Sequence, residues 1–364
     1  MSSLAEIDVV VVNYRSAADT LGALAVLGPW RHGVVWVVDN SVDTAEAQAL
    51  RTGTQERSDV RLLIAGENLG FGRGCNRAFE LSRAPHVLLL NPDARIEAAH
   101  AVGLAEALAS DAAWGAVSPK TFWDMRRRFV LPEATSQTPA AVTALALGTR
   151  APRLMHAVFR RYLRRTQRRM AGTRLFATGF LAGAVLMLRR DAVAKAGGLF
   201  DPDYFMFYED SDLCVRLRRA GYRLGIAPQF EAVHAYRHKA LKIPLMHDTR
   251  QVYFRKRFPR FFASTRELAW VDRLAKPACW ADLGEALPGP LRSAAEFAER
   301  TADAAIVALS PAPLMIPAIM RPADAPPERL SEEDWDRLEA GRYMTAVRGT
   351  AGDLRFVSFE RAPD

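Results

Sequence analysis

The chain has 364 residues, 49% of them apolar and 25% charged, enough apolar content for a large packed domain with or without an appendix, which excludes a disordered chain. Its formal net charge of +8 calls for an anionic partner but does not choose among nucleotide, nucleic acid and lipid headgroups. Cys75, Cys214 and Cys279 are odd in number and scattered, which argues against a disulfide framework or a cysteine-rich zinc site and fits a reducing compartment.

The N-terminal stretch MSSLAEIDVVVVNY has no basic residues ahead of its apolar run, so residues 7–13 read as a first strand instead of a signal peptide. IDVVVVN is a continuous apolar run of the kind buried on both faces of a sheet, and residues 17–27 follow as a helix. GVVWVVDN (33–40), VRLLIAG (60–66) and HVLLLN (86–91) are three more such strands with helical stretches between them. This alternation predicts an α/β fold with a mainly parallel central sheet, whose ligands sit beyond the carboxyl ends of the strands. The strand tips then supply Asn13 and Tyr14, Asp39, Asn40 and Ser41, the loop GENLGFGRGCN, and NPDA, all expected at one cleft.

A fifth strand, WGAVSP (114–119), precedes a basic insertion. Residues 150–174 carry nine arginines and no acid, and Met155, Val158, Phe159, Tyr162, Leu163 and Met170 form a helical stripe. Such a helix either lies on an anionic membrane or packs its stripe on its own protein or a second copy, as in a homodimer. Nucleic acid would want the aromatics exposed among the arginines, whereas Phe159 and Tyr162 lie on the stripe. Residues 204–225, YFMFYEDSDLCVRLRRAGYRLG, predict a helix that begins with Glu209, Asp210 and Asp212 behind a run of aromatics and stops at Gly221. Acids at a helix start complement its dipole, but aromatic walls also make a carboxylate a tuned base. The apolar run from Ala304 to Met320 is broken by three prolines, so no membrane span is expected. Beyond residue 262, LPGPL and RPADAPPERL read as linkers, Ser331 as a helix cap, and residues 342–360 as a hairpin.

The glycine-rich stretch NLGFGRGCN (68–76) can present backbone amides to phosphate. Its glycines at 70, 72 and 74 follow the third strand, which is neither the dinucleotide fingerprint nor a P-loop. LLLNPDA (88–94) delivers Asp93 to a strand tip, where a hard oxygen donor suits Mg²⁺ or Mn²⁺ on a diphosphate, or simply caps the next helix. His234, near the end of the last core strand, is a second candidate ligand.

These motifs, with VVNYRS, VVDNSVD, FLAGAVLMLRRDAV and VHAYRHKA, occur in the order seen in family 2 glycosyltransferases of the GT-A fold, and the chain most resembles the bacterial rhamnosyltransferases over residues 6–260. The resemblance implies a GT-A, Rossmann-like nucleotide-sugar domain over 1–262, with the basic insertion at about 120–175, and a small α+β extension over 263–364. It implies inverting transfer of a sugar, L-rhamnose from dTDP-rhamnose or alternatively a sugar from a UDP donor, to a cell-surface glycan or lipid-linked acceptor in cell-envelope polysaccharide synthesis. Asp210 matches the general base and Glu209 the acid beside it. Asn13, Tyr14, Asp39 and Asn40 match the nucleotide pocket, and Asn68, Gly70 and Asn76 the loop beside ribose and diphosphate. Asp93 matches the last acid of the D-x-D metal motif, with Asn91 in place of the first, and His234 a histidine that completes the metal site in some members. A cytoplasmic enzyme, peripheral on the inner membrane face, is expected. The rival readings are a nucleotidyltransferase, which would place a glycine-rich, lysine-ending loop after the first strand, and a non-catalytic nucleotide or membrane binder, which would lack Asp93 or Asp210.

Overall fold

The computed structural model describes residues 6–132, 137–235, 243–275, 279–349 and 352–363. These fall into two compact units, one running to Thr121 and including Thr173–Ala235 and Pro244–Arg257, the other comprising Phe122–Gly172 and the chain from Phe258 onward.

In chain order the first unit contains β1 (Ile7–Asn13), α1 (Ala17–Leu27), β2 (Val35–Asp39), α2 (Thr44–Thr54), β3 (Val60–Ile64), α3 (Gly70–Leu81), β4 (His86–Leu90), β5 (Ala94–Arg95), α4 (Ala98–Ala109) and β6 (Trp114–Phe122). Helices α5 (Pro139–Gly148) and α6 (Pro152–Met170) belong to the second unit, after which β7 (Phe176–Thr178), β8 (Val185–Arg189), α7 (Arg190–Lys195), α8 (Glu209–Arg219), β9 (Arg223–His234) and α9 (Ile243–Arg257) return to the first. The sheet order is β3-β2-β1-β4-β8-β6-β9-β5, with β7 also on β9. Strands β3, β2, β1 and β4 are mutually parallel, while β8 runs antiparallel to both β4 and β6. All seven residues of β1 are buried, as its unbroken apolar run requires of a strand covered on both faces. The exception in composition, Asp8, is satisfied by the Val34 N–H at 2.8 Å and the Trp36 indole N–H at 3.0 Å. The register sets Asn13 directly beside Asp39, so two polar strand tips meet at one edge of an otherwise apolar core.

The second unit continues with α10 (Thr265–Leu274), α11 (Cys279–Leu283), β10 (Glu285–Leu291), α12 (Ala294–Arg300), β11 (Ala305–Ser310), β12 (Ile319–Met320), α13 (Glu332–Trp335), β13 (Gly341–Arg348) and β14 (Leu354–Arg361). Its five-stranded sheet has the order β10-β14-β13-β11-β12. The expected hairpin is β13 and β14, and Ser331 caps α13 in a reciprocal capping box with Asp334. LPGPL departs from its linker reading: it forms most of β10, an edge strand where prolines are tolerated because one side has no ladder to complete.

The insertion departs further. Residues 122–172 group with the C-terminal chain, not with the first unit that flanks them in sequence. The stripe of α6 is covered: Met155, Phe159 and Leu163 are buried in one cluster with Leu283, Val307, Met344 and Phe356. His156 stacks on Phe356 with ring centroids 4.0 Å apart, and Phe159 meets the same ring edge-on at 5.7 Å. Packing is therefore the use the fold makes of this stripe. Val158, assigned to the stripe from its spacing, is 41% exposed. Among the described residues no helix is long and apolar enough to cross a membrane.

Candidate active site

Asn13 ends β1 fully buried, and its amide acts as a bracket. It donates to Asp39 Oδ1 at 2.9 Å and Ser41 Oγ at 3.0 Å, and its carbonyl accepts from Thr20 Oγ1 at 2.9 Å and Ser16 Oγ at 3.1 Å. Asp39 Oδ1 also accepts the Ser41 N–H, so this carboxylate is held in a fixed orientation, 2% exposed. Tyr14, next along the chain, is exposed. Of the four residues expected at the nucleotide, Asn13 orients Asp39 from behind. Asn40 donates to the Gly70 carbonyl at 2.8 Å and ties the tip of β2 to the glycine-rich loop.

Gly70 admits no other residue. Its φ is +77°, and a Cβ there would lie 2.3 Å from the carbonyl oxygen of Phe205. That carbonyl accepts the Phe71 N–H at 3.0 Å, which locks the loop against the segment leading into α8. Asn68 accepts the Gly70 N–H through Oδ1 at 3.1 Å. Asn76 exchanges two hydrogen bonds with the main chain of Phe200, at 2.8 and 3.0 Å, so its amide serves the scaffold beside the loop.

Helix α8 starts from two consecutive left-handed residues, Phe207 at φ 69° and Tyr208 at φ 65°. The turn swings Glu209 inward, where it is buried with Oε2 lacking a hydrogen-bond partner among the described residues. Asp210 keeps an open edge: it is half-buried, Oδ2 accepts the Gly183 N–H at 3.3 Å, and Oδ1 accepts the Ser211 N–H at 2.6 Å and the Ser211 hydroxyl at 3.4 Å. Burial pushes both carboxyls up; Glu209, which also feels the Asp210 charge, reaches about 8. Asp210 accepts three hydrogen bonds while Glu209 Oε2 accepts none among the described residues, so burial weighs more heavily on an ionised Glu209 than on an ionised Asp210.

Asp212 is more than a dipole acid. It is fully buried and accepts from Arg216 Nε at 2.6 Å, from the Tyr204 hydroxyl at 3.2 Å, and from Arg257 at the end of α9. Beside it Lys256 bonds Asp201 at 2.8 Å and pairs with Asp203. The loop before α8 and the helix itself are thus fastened to α9. Nothing in the sequence near Asp212 announces Arg257.

Asp93 and His234 lie side by side. Ala94 of β5 pairs with His234 of β9, the Ala235 N–H donates to the Asp93 carbonyl at 3.1 Å, and His234 Nε2 lies 3.2 Å from Asp93 Oδ1. Asn91 Oδ1 is buried without a partner among the described residues. One carboxylate, one imidazole and an unsatisfied amide oxygen two residues before Asp93 in the chain fit a Mg²⁺ or Mn²⁺ ion that takes its remaining ligands from diphosphate and water. No group of three His, Cys, Asp or Glu side chains suited to a metal occurs among the described residues. From Tyr236 onward the VHAYRHKA stretch lies outside them. The Asn91 N–H donates to the Ala184 carbonyl at 2.8 Å, one residue from Gly183, whose N–H holds Asp210. The NPD turn and Asp210 are therefore joined through two residues of FLAGA, a link that the motif membership of Gly183 alone did not assign.

Asp210, at the start of α8, belongs to an α/β domain with a mainly parallel sheet, whose ligands lie beyond the carboxyl ends of the strands. The family model described as "Glycosyltransferase like family 2" matches residues 5–254, and the chain belongs to that family. Over 233 residues, 58% of this chain and 70% of the relative, it is 29% identical to an N-acetylglucosaminyl-diphospho-decaprenol L-rhamnosyltransferase of Mycobacterium tuberculosis. Over 84 residues, 23% of this chain and 28% of the relative, it is 40% identical to rhamnosyltransferase WbbL of Escherichia coli. The mannosyltransferase PcManGT of Pyrobaculum calidifontis, solved with GDP-Man and Mn²⁺, superposes with a TM-score of 0.50 over 83% of this chain and 81% of that one, at 20% identity, a likeness of fold. The chain is a glycosyltransferase with a GT-A-type α/β domain.

Proposed function

We propose that this glycosyltransferase moves L-rhamnose from dTDP-rhamnose, with inversion, onto a hydroxyl of a lipid-linked glycan at the cytoplasmic face of the cell envelope. The relatives named for rhamnosyl transfer, one of them to a diphospho-decaprenol acceptor, support the sugar and the acceptor class. The observation that carries the mechanism is the half-open Asp210 carboxylate, pinned by the Gly183 and Ser211 amides beside the buried Glu209 carboxyl, whose pKa burial raises.

The acceptor hydroxyl attacks the anomeric carbon from the face opposite the leaving group. As the new C–O bond forms, its proton passes to Asp210, and the anomeric C–O bond to the diphosphate breaks with its electron pair. The Gly183 and Ser211 donors keep the base ionised and aimed, and neutral Glu209 spares it a second adjacent charge. Tyr14 and Asp39 bind the nucleoside end, with Asn13 fixing Asp39, while the loop at Asn68 and Gly70 borders the diphosphate. Asp93 and His234 would hold a divalent ion, which when bound neutralises charge on the departing diphosphate.

The test is release of nucleoside diphosphate from a panel of nucleotide sugars with a polyprenyl-diphosphate N-acetylglucosamine acceptor. dTDP released only in the acceptor's presence is the expected result, and Asp210→Asn should lower turnover by ~10²-fold or more. UDP release instead would reassign the donor, and near-wild-type turnover in the variant would remove Asp210 from the role of base.

A further inference from the structure

The covered stripe of α6 leaves its arginines to be explained. Several have partners: Arg160 lies 5.8 Å from the Phe356 ring centroid, Arg164 donates to the Arg160 carbonyl at 3.3 Å, and Arg169 also makes an interaction. Arg161, Arg165 and Arg168 are exposed, and their side chains make no hydrogen bond or ion pair with a described residue. Counted at helical spacing these three continue the line of Leu154 and Val158, positions i, i+4, i+7, i+11 and i+14 of one helix face. Leu154 is 64% exposed, an aliphatic side chain at the head of the line that the three arginines continue.

We infer that this outer line of α6 docks the protein on an anionic phospholipid surface. The occupant follows from charge and shape together. No acid lies between residues 150 and 174 to neutralise the arginines, so the line attracts an anionic surface. Leu154 and Val158 share it, and exposed aliphatics gain from burial in acyl chains at the headgroup boundary. They gain little against a phosphate backbone, and no aromatic lies on the line to stack on a base. The face is the one opposite the stripe that the sequence singles out, because that stripe is already buried in the C-terminal core. The inference goes beyond the proposed reaction and rests on it only for the purpose of docking, access to a lipid-linked acceptor.

The full-length protein should sediment with phosphatidylglycerol-containing vesicles at low salt, stay in solution with pure phosphatidylcholine, and be released from the anionic vesicles by high salt. Changing Arg161, Arg165 and Arg168 together to Gln should weaken partition on the order of 10²-fold. Leu154→Ser with Val158→Ser should weaken it with the arginines intact. Equal thermal melts would show that these variants fold, and Arg266, Arg292 and Arg348 changed together to Gln, exposed in the same unit, control for net charge. Three results overturn the inference: no sedimentation of the wild type at low salt, a control triple that loses as much as the α6 triple, or duplex RNA binding that exceeds vesicle binding and vanishes in the α6 triple. Because sedimentation needs no turnover, a protein that binds vesicles but releases no nucleotide would break the proposed reaction and leave the docking surface standing.

Discussion

At Glu209, burial without a donor on Oε2 makes the ionised form costly, and the adjacent Asp210 charge adds to that cost. A carboxyl raised from the ordinary 4.5 to about 8 binds a proton in the folded state over a window where the unfolded chain has already lost it. Stability therefore falls as pH rises from about 4.5 to about 8 and is flat above, the reverse of a salt-bridged acid. Glu209→Gln copies the protonated acid at nearly the same shape. The variant should match the wild type at pH 5, exceed it at pH 8.5 by on the order of 1–3 kcal/mol in urea unfolding, and keep most of its neutral-pH turnover. A variant less stable than the wild type at pH 8.5 would mean that Glu209 is ionised in the fold and that the proton of the pair sits elsewhere. The adjacent letters E and D are equally acidic on paper; the Gly183 and Ser211 amides, which divide their roles, come from folding.

Helix α8 carries Asp210 on a strained start. Non-glycine residues in the left-handed region cost of order 1–3 kcal/mol each, and Phe207 and Tyr208 are consecutive. The bonds from Asp212 to Arg216, Arg257 and Tyr204 offset that strain, and Lys256 holds the preceding loop through Asp201. Leaving two guanidiniums without their buried carboxylate should be severe. Asp212→Asn is expected to lose on the order of 3–5 kcal/mol in denaturant unfolding and, where it still folds, to lower turnover with little change in donor affinity. A variant with wild-type stability would show that Arg257 and Arg216 hold the helix through other groups. From sequence, Asp212 reads as an acid complementing the helix dipole, because its spacing to Arg216 is local while Arg257 comes from a different helix, α9. Positions inside one element can be read from spacing; ties between elements need the fold.

The same distinction holds for the molecule as a whole. The parallel half of the large sheet was legible because strands buried on both faces leave unbroken apolar runs, as IDVVVVN and HVLLL do. The basic insertion was half legible: its period gave the helix and the stripe, but Leu283 and Phe356, which cover the stripe, lie more than a hundred residues onward. That long-range core makes residues 122–172 and 258–364 one unit, and we expect it to unfold separately from the first unit. Phe159 is the residue to test, being 1% exposed with its ring edge against Phe356. Phe159→Ala leaves a cavity worth roughly 3–5 kcal/mol, which should lower one calorimetric transition by several degrees and spare the other. Adding dTDP should raise only the transition that Phe159→Ala spares, since a ligand stabilises the unit that binds it by mass action. A single transition shifted by both the substitution and the nucleotide would instead mean that the two cores melt as one cooperative body, and the division of the chain at residue 122 would then carry no thermodynamic weight.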